Sequence, residues 1–169
     1  MLEHDGRYIN DSSVICEYLE KIHPEPALYP KDPYDCARAG WLEEFVHGGV
    51  IPVSGPGVFR PLVLMPVLTQ KPPDAAAIAA AEKVVAENLG PLFAYLEAQL
   101  GGADYFVGKR LSIADIAVAS PFVNLRHAGF PPDAGKCPKL AAFVARMHAR
   151  PSFKACIEEE RPVFGKRWK

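Results

Sequence analysis

Two stretches of this sequence set a carboxylate and a hydroxyl where a helix should begin. Asp11-Ser12 precedes Ile15, Tyr18, Leu19 and Ile22, which recur at i, i+3, i+4 and i+7, and Ser112-Ile113-Ala114-Asp115 opens a second apolar run. Unpaired backbone N–H groups and the positive dipole end make a helix start attractive to a carboxylate. Asp11 and Ser12 can therefore cap their helix or hold an anionic ligand, and the residues alone leave both open. Ser112 and Asp115 have the Ser-x-x-Asp spacing of a reciprocal cap. A nucleophilic serine at that point needs a histidine base, and His127 is distant in sequence, so Ser112 and Asp115 are assigned as a structural cap. His4, His23, His47, His127 and His148 show no metal-ligand spacing, and no metal is expected. Cys16, Cys36, Cys137 and Cys156 form no redox or metal motif, which suits reduced thiols in a cytoplasmic protein.

The elements that must carry these residues follow from composition and pattern. A formal net charge of -1 over 169 residues gives no electrostatic footprint for nucleic acid or an anionic membrane. Lys166, Arg167 and Lys169 read as a solvated tail. The start, Met1 to Asn10, is too polar for a secretory signal. The most apolar stretch, Val50 to Leu68, carries Pro52, Pro56, Pro61, Pro66 and Arg60, a density of breakers that argues against a bilayer-spanning helix and leaves the stretch unassigned.

Asp5-Gly6 between Leu2-Glu3-His4 and Arg7-Tyr8-Ile9 predicts a hairpin with a type I′ turn. A helix from Asp11 follows, stopped by Pro24 and Pro26. Ala37, Trp41 and Phe45 then repeat at four residues. A long helical pattern from Asp74 runs through Ile78, Ala81, Val85, Leu89, Leu92, Leu96 and Leu100, with a kink expected at Gly90-Pro91. The helix opened by Ser112 is apolar nearly all round and so buried. Lys139 to Arg150 is amphipathic behind Pro138, and a last short helix should end near Arg161-Pro162. The expected architecture is mainly α: a ββα piece over residues 1–27, a linker over 28–34, and an all-helical bundle over 35–165. Two strands and one helix make too small a sheet to stand alone, so further strands are expected upstream of Met1.

Three stretches, in order, resemble the soluble glutathione S-transferases. Leu2 to Gly6 with Ile9 to Leu19 is similar to the end of that family's thioredoxin-like domain, with Asp11 where glutamate is commoner and Ser12 matching the serine. Gly108-Lys109-Arg110-Leu111-Ser112-Ile113-Ala114-Asp115 resembles the opening of the buried helix in its C-terminal domain. Met147-His148-Ala149-Arg150-Pro151-Ser152-Phe153 resembles the junction of its last helices.

The resemblance implies that Asp11 and Ser12 hold the γ-glutamyl end of glutathione, the serine and backbone taking its carboxylate and the acidic side chain its amino group. It implies conjugation of glutathione thiolate to small electrophiles, a homodimer, and neither a nucleic-acid nor a membrane partner. Trp41, Phe45, Val58 and Phe59 become candidates for the electrophile pocket or the subunit interface. The family's thiol-activating tyrosine, serine or cysteine and its cis-proline have no counterpart in this chain and are expected upstream of Met1. Neither Cys16 nor Tyr8 stands at the matching position. The chain as written is therefore expected to be a truncated, inactive form of a longer transferase. The alternatives are a non-catalytic helical interaction module and a carrier of glutathione or hydrophobic ligands.

Overall fold

Asp5 and Gly6 both sit at positive φ, 51° and 73°, the pair of left-handed positions that a type I′ turn demands. The computed structural model, which describes residues 1–164, accordingly begins with an antiparallel hairpin. In it β1 (Leu2–His4) pairs with β2 (Arg7–Ile9) in the register Leu2↔Ile9, Glu3↔Tyr8 and His4↔Arg7. Helix α1 (Ser12–Ile22) is capped by Asp11 and ends at His23, ahead of Pro24. The basic cluster of Lys166, Arg167 and Lys169 lies outside the described residues.

Helix α2 (Pro33–Thr69) corrects the expectation for the proline-rich stretch. Asp32 caps it through the Asp35 N–H at 3.0 Å, and it continues through every proline between 50 and 68. A proline lacks the N–H that an i→i−4 bond needs and its ring crowds the carbonyl four residues back. Here the backbone relieves that conflict by widening to i→i+5 turns at Val46–Val50 and Gly55–Leu64. By length and composition alone α2 could cross a membrane. In the fold its Leu42, Val46, Val50, Val58, Leu62 and Val63 are buried in the bundle core. The buried stripe is thus Ala39, Leu42, Val46 and Val50, whereas Ala37 and Trp41 face outward. The four-residue repeat of Ala37, Trp41 and Phe45 identified the helix but not its inner face.

Helix α3 spans 75–100, starting at Asp74, which accepts the Ala77 N–H at 2.7 Å. It runs unbroken through Gly90-Pro91, with an i→i+5 turn at Val85–Leu89 in place of a simple kink. The remaining helices are α4 (Ile113–Ala119), α5 (Pro121–His127), α6 (Pro138–His148) and α7 (Pro151–Phe164). The last runs past Pro162 rather than stopping there. The core is closed by Phe93 against Phe122, 5.1 Å between ring centroids, and by Phe106 edge-on to Phe143 at 4.9 Å. Glu97 on α3 caps α6 from outside, accepting the Lys139 and Leu140 N–H groups at 3.1 and 2.7 Å.

His148 fastens α6 to the end of α4 by donating from Nε2 to the Ala119 carbonyl at 3.0 Å. Burial pushes its pKa below the ordinary 6.5, while the Ala119 bond pulls the other way. Above pH 6.5 the ring is neutral in both folded and unfolded chains, so its contribution is complete. As the pH falls from there towards the lower folded value, the unfolded chain binds a proton that the native state resists, and stability is lost. Urea midpoints should fall between about pH 7 and pH 5, and His148→Gln should flatten that fall. Equal pH slopes in the two proteins would remove His148 as the cause.

Candidate functional site

Asp11 adopts φ 73° and ψ 134°, a region that costs a non-glycine residue roughly 1–3 kcal/mol. The conformation turns the chain sharply from β2 into α1 and brings Asp11 Oδ1 onto the Ser13 N–H at 2.9 Å and the Val14 N–H at 3.3 Å. Both bonds fall on Oδ1. Ser12 is the first residue of α1 and is exposed, so its N–H and hydroxyl stand at the open positive end of the helix. A carboxylate on Ser12 and an ammonium on the outer oxygen of Asp11 together suit an amino-acid-type zwitterion. The cap is present, and it leaves room for the ligand reading.

Three ties hold this turn against the bundle. The Ser13 hydroxyl lies 3.3 Å from His47 Nδ1 on α2. The Glu20 carboxylate accepts the Leu28 and Tyr29 N–H groups at 3.1 and 3.2 Å. The Leu28 carbonyl in turn accepts the N–H of Ile113, the first residue of α4, at 2.9 Å. Ser13 and His47 were not legible as a pair, since 34 residues separate them.

The four pocket candidates fall in different places. Trp41, 54% exposed, and Phe45 form an aromatic cluster with Tyr95 of α3, which the sequence reading missed. Trp41 Nε1 donates to the Tyr95 hydroxyl at 3.1 Å, and the Phe45 and Tyr95 rings are 4.5 Å apart. A tyrosine set within the apolar stripe of Leu92 and Leu96 was the available signal. Val58 is fully buried in the core, and Phe59 packs on Phe164 of α7 at 5.8 Å. Val58 is therefore out of reach of a ligand, and Phe59 does not join the Trp41 cluster.

Asp115 is fully buried and accepts the Ser112 N–H at 2.8 Å, the Ser112 hydroxyl at 3.0 Å and the Phe106 N–H at 2.9 Å, with the capping box in place. His127 bonds Glu160 at 3.2 Å instead, so no serine nucleophile is assembled around Ser112. Burial, with Glu43 nearby, pushes the Cys16 thiol up and the Tyr29 hydroxyl further still, which makes Cys16 a poor nucleophile. Tyr8 is 64% exposed. Among the described residues no three His, Cys, Asp or Glu side chains gather as a metal site.

Comparison with known proteins gives two family matches. Residues 1–27 match the glutathione S-transferase N-terminal domain, and residues 63–160 match the glutathione S-transferase C-terminal domain. The chain is 29% identical to glutathione S-transferase U4 of Arabidopsis thaliana over 131 residues, covering 75% of this chain and 50% of that protein. It is 33% identical over 114 residues to a protein of Caenorhabditis elegans named "Probable maleylacetoacetate isomerase", covering 68% of this chain and 49% of that one. A solved glutathione S-transferase of Methylobacterium radiotolerans, in complex with glutathione sulfonate, superposes with a TM-score of 0.64 at 26% identity, over 88% of this chain and 66% of that one. The chain spans about half the length of these curated relatives. Both the hairpin-and-helix piece and most of the bundle match one family in its own domain order, and the chain belongs to the glutathione S-transferases.

Proposed function

We propose that this chain supplies the γ-glutamyl half of a glutathione site. In a polypeptide that also carries a thiol-activating tyrosine, serine or cysteine, it would serve conjugation of glutathione thiolate to small electrophiles. The observation that carries this reading is the Asp11 turn. A strained, outward carboxylate stands beside an exposed serine at an open helix start, with the turn tied to the bundle through His47. Ser12 and its N–H take the glutathione α-carboxylate, and Asp11 takes the amino group. Trp41 and Phe45, with Tyr95, flank the electrophile or a subunit interface. The division into 1–27, 28–34 and 35–165, a homodimer, a cytoplasmic location and a role in detoxification belong to the same proposal.

The apolar face of α1 supports a larger N-terminal layer. Val14, Leu19 and Ile22 are 52%, 39% and 39% exposed, and contiguous apolar surface of this kind calls for a covering element. Titration calorimetry of the 169-residue chain with glutathione should give weak binding that disappears in Ser12→Ala. Turnover of a chlorodinitrobenzene-type electrophile should be absent from the same protein. Binding unaffected by Ser12→Ala would refute the assignment, and measurable turnover would place the thiol-activating group inside this chain.

A pair of substitutions separates the cap role of Asp11 from its ligand role. Asp11→Gly removes the carboxylate but relieves the positive φ, and glycine is itself a tolerable cap, so stability should change by only a few tenths of a kcal/mol. Asp11→Ala loses the cap and keeps the strain, which should cost about 1 kcal/mol. Both should weaken glutathione binding alike. If binding instead follows stability, with Asp11→Gly binding normally, then Asp11 is a cap and nothing more.

A further inference from the structure

On α7, Lys154, Ile157, Glu158 and Arg161 recur at i, i+3, i+4 and i+7, so they share one face. That face forms one wall of a groove of about 1040 Å³ between α5, α6 and α7, at the upper end of the range of about 300–1,000 Å³ for small-molecule pockets. Its apolar lining includes Phe122, Val144 and Ile157. Its charged lining is Arg126, Lys154 and Arg161 against a single carboxylate, Glu158. Glu158 lies 3.8 Å from Lys154. Arg126 and Arg161 enter no ion pair among the described residues. The Arg126 charge also reaches the groove lining, since it helps to lower the pKa of His148. In a chain of net charge -1, an apolar groove bordered by two uncompensated guanidinium groups is locally complementary to an anion. Arg126 and Arg161 belong to neither the Asp11 turn nor the Trp41 cluster.

We propose that the groove between α5, α6 and α7 binds an amphiphilic carboxylate, its apolar body on Phe122, Val144 and Ile157 and its head between Arg126 and Arg161. This is a second site, independent of the glutathione reading. The exposure of both arginines makes the binding salt-sensitive.

The test is calorimetric titration of the full chain with decanoate at low salt, below the concentration at which it forms micelles. Each of Arg126→Glu and Arg161→Glu should weaken binding about tenfold, which corresponds to about 1.4 kcal/mol, and decyltrimethylammonium should not bind. Ala145→Trp, which fills the groove from an exposed lining position, should abolish binding without touching a charge. Amide chemical-shift changes should gather around Ile157 and not around Ser12. The proposal fails if decanoate shows no saturable binding, if charge reversal leaves affinity unchanged, or if the ammonium binds equally well. It also fails if the shifts gather at α1. A doubled particle mass in place of ligand uptake would make the groove a contact with a second copy and would overturn it too.

Discussion

Replacing Asp115 by alanine should cost about 3–5 kcal/mol of folding stability, because it strands three buried donors at once. The Phe106 N–H, the Ser112 N–H and the Ser112 hydroxyl all end on this one carboxylate. Nothing else in its fully buried surroundings is placed to accept them. Against a total of about 5–15 kcal/mol for a typical domain, this is enough to leave the protein partly unfolded at physiological temperature. Ser112→Ala, which removes only the hydroxyl, should cost about 1 kcal/mol. Equilibrium urea unfolding at neutral pH measures both, and a loss below that of Ser112→Ala would show that the carboxylate is not what holds the loop around Phe106.

The same carboxylate has a pH signature. Burial pushes the Asp115 pKa above 3.8, although its three donors pull it back. A carboxyl with a raised native pKa binds its proton more tightly in the folded state. Its contribution is therefore greatest below 3.8 and declines as the pH rises through the native value, then stays level. Asp115→Asn removes that decline. The difference between the wild-type and Asn stability curves in mildly acidic solution reads it directly.

The second large effect is steric. A Cβ on Gly57 of α2 would lie 2.9 Å from Cγ1 and 3.3 Å from Cγ2 of Val84 on α3. Two effects oppose each other at this position. Alanine gains roughly 1 kcal/mol over glycine in a helix interior, while forcing a methyl into a closed contact costs about 1–3 kcal/mol. Gly57→Ala should therefore be destabilising by up to about 2 kcal/mol. Gly57→Val, which adds two further carbons against the same side chain, should cost about 3 kcal/mol. Val84→Ala removes the obstructing methyls, so in that background Gly57→Ala should become neutral or stabilising. Thermal melts of the four proteins in this cycle give the coupling, and additive effects would mean that α2 and α3 are not in contact where Gly57 meets Val84.

Local signals in the sequence reached far into this fold. The Asp5-Gly6 turn, the Asp11 and Asp74 caps, the buried face of α6 through Leu140, Phe143, Val144 and Met147, and the Ser112–Asp115 pair are all visible within a window of a few residues. Each rests on backbone chemistry that the neighbouring residues decide. The path of α2 does not. Prolines at 52, 56, 61 and 66 count as breakers by local rules, and only packing of Val46, Val50, Val58 and Leu62 into the bundle makes wide turns cheaper than a break. The inward face of the same helix was misjudged for a related reason. Trp41 and Phe45 are large enough to suggest a core, yet the core is closed by Ala39 and Leu42 beside them. Of the candidate site, the Asp11-Ser12 turn was legible because a helix start is local. The ties that position it, Ser13 to His47 and Leu28 to Ile113, join residues far apart in the chain, and no single-sequence pattern encodes them.

The wide turn at Val85–Leu89 has one more consequence, which concerns the angular phase of everything that follows it. An α-helix advances about 100° per residue, and an i→i+5 turn accommodates one residue more than the regular spiral would. The azimuths of Phe93, Leu96 and Leu100, all buried, are therefore set by the length of that turn as much as by their own spacing. Deleting one residue between 85 and 89 would keep a sound helix and preserve every side chain named here beyond it. It would nonetheless swing Phe93 away from Phe122, and Glu97 away from the start of α6. In this bundle the sequence separation across a wide turn is part of the core, and alignments that open gaps there would shift which side chains face inward.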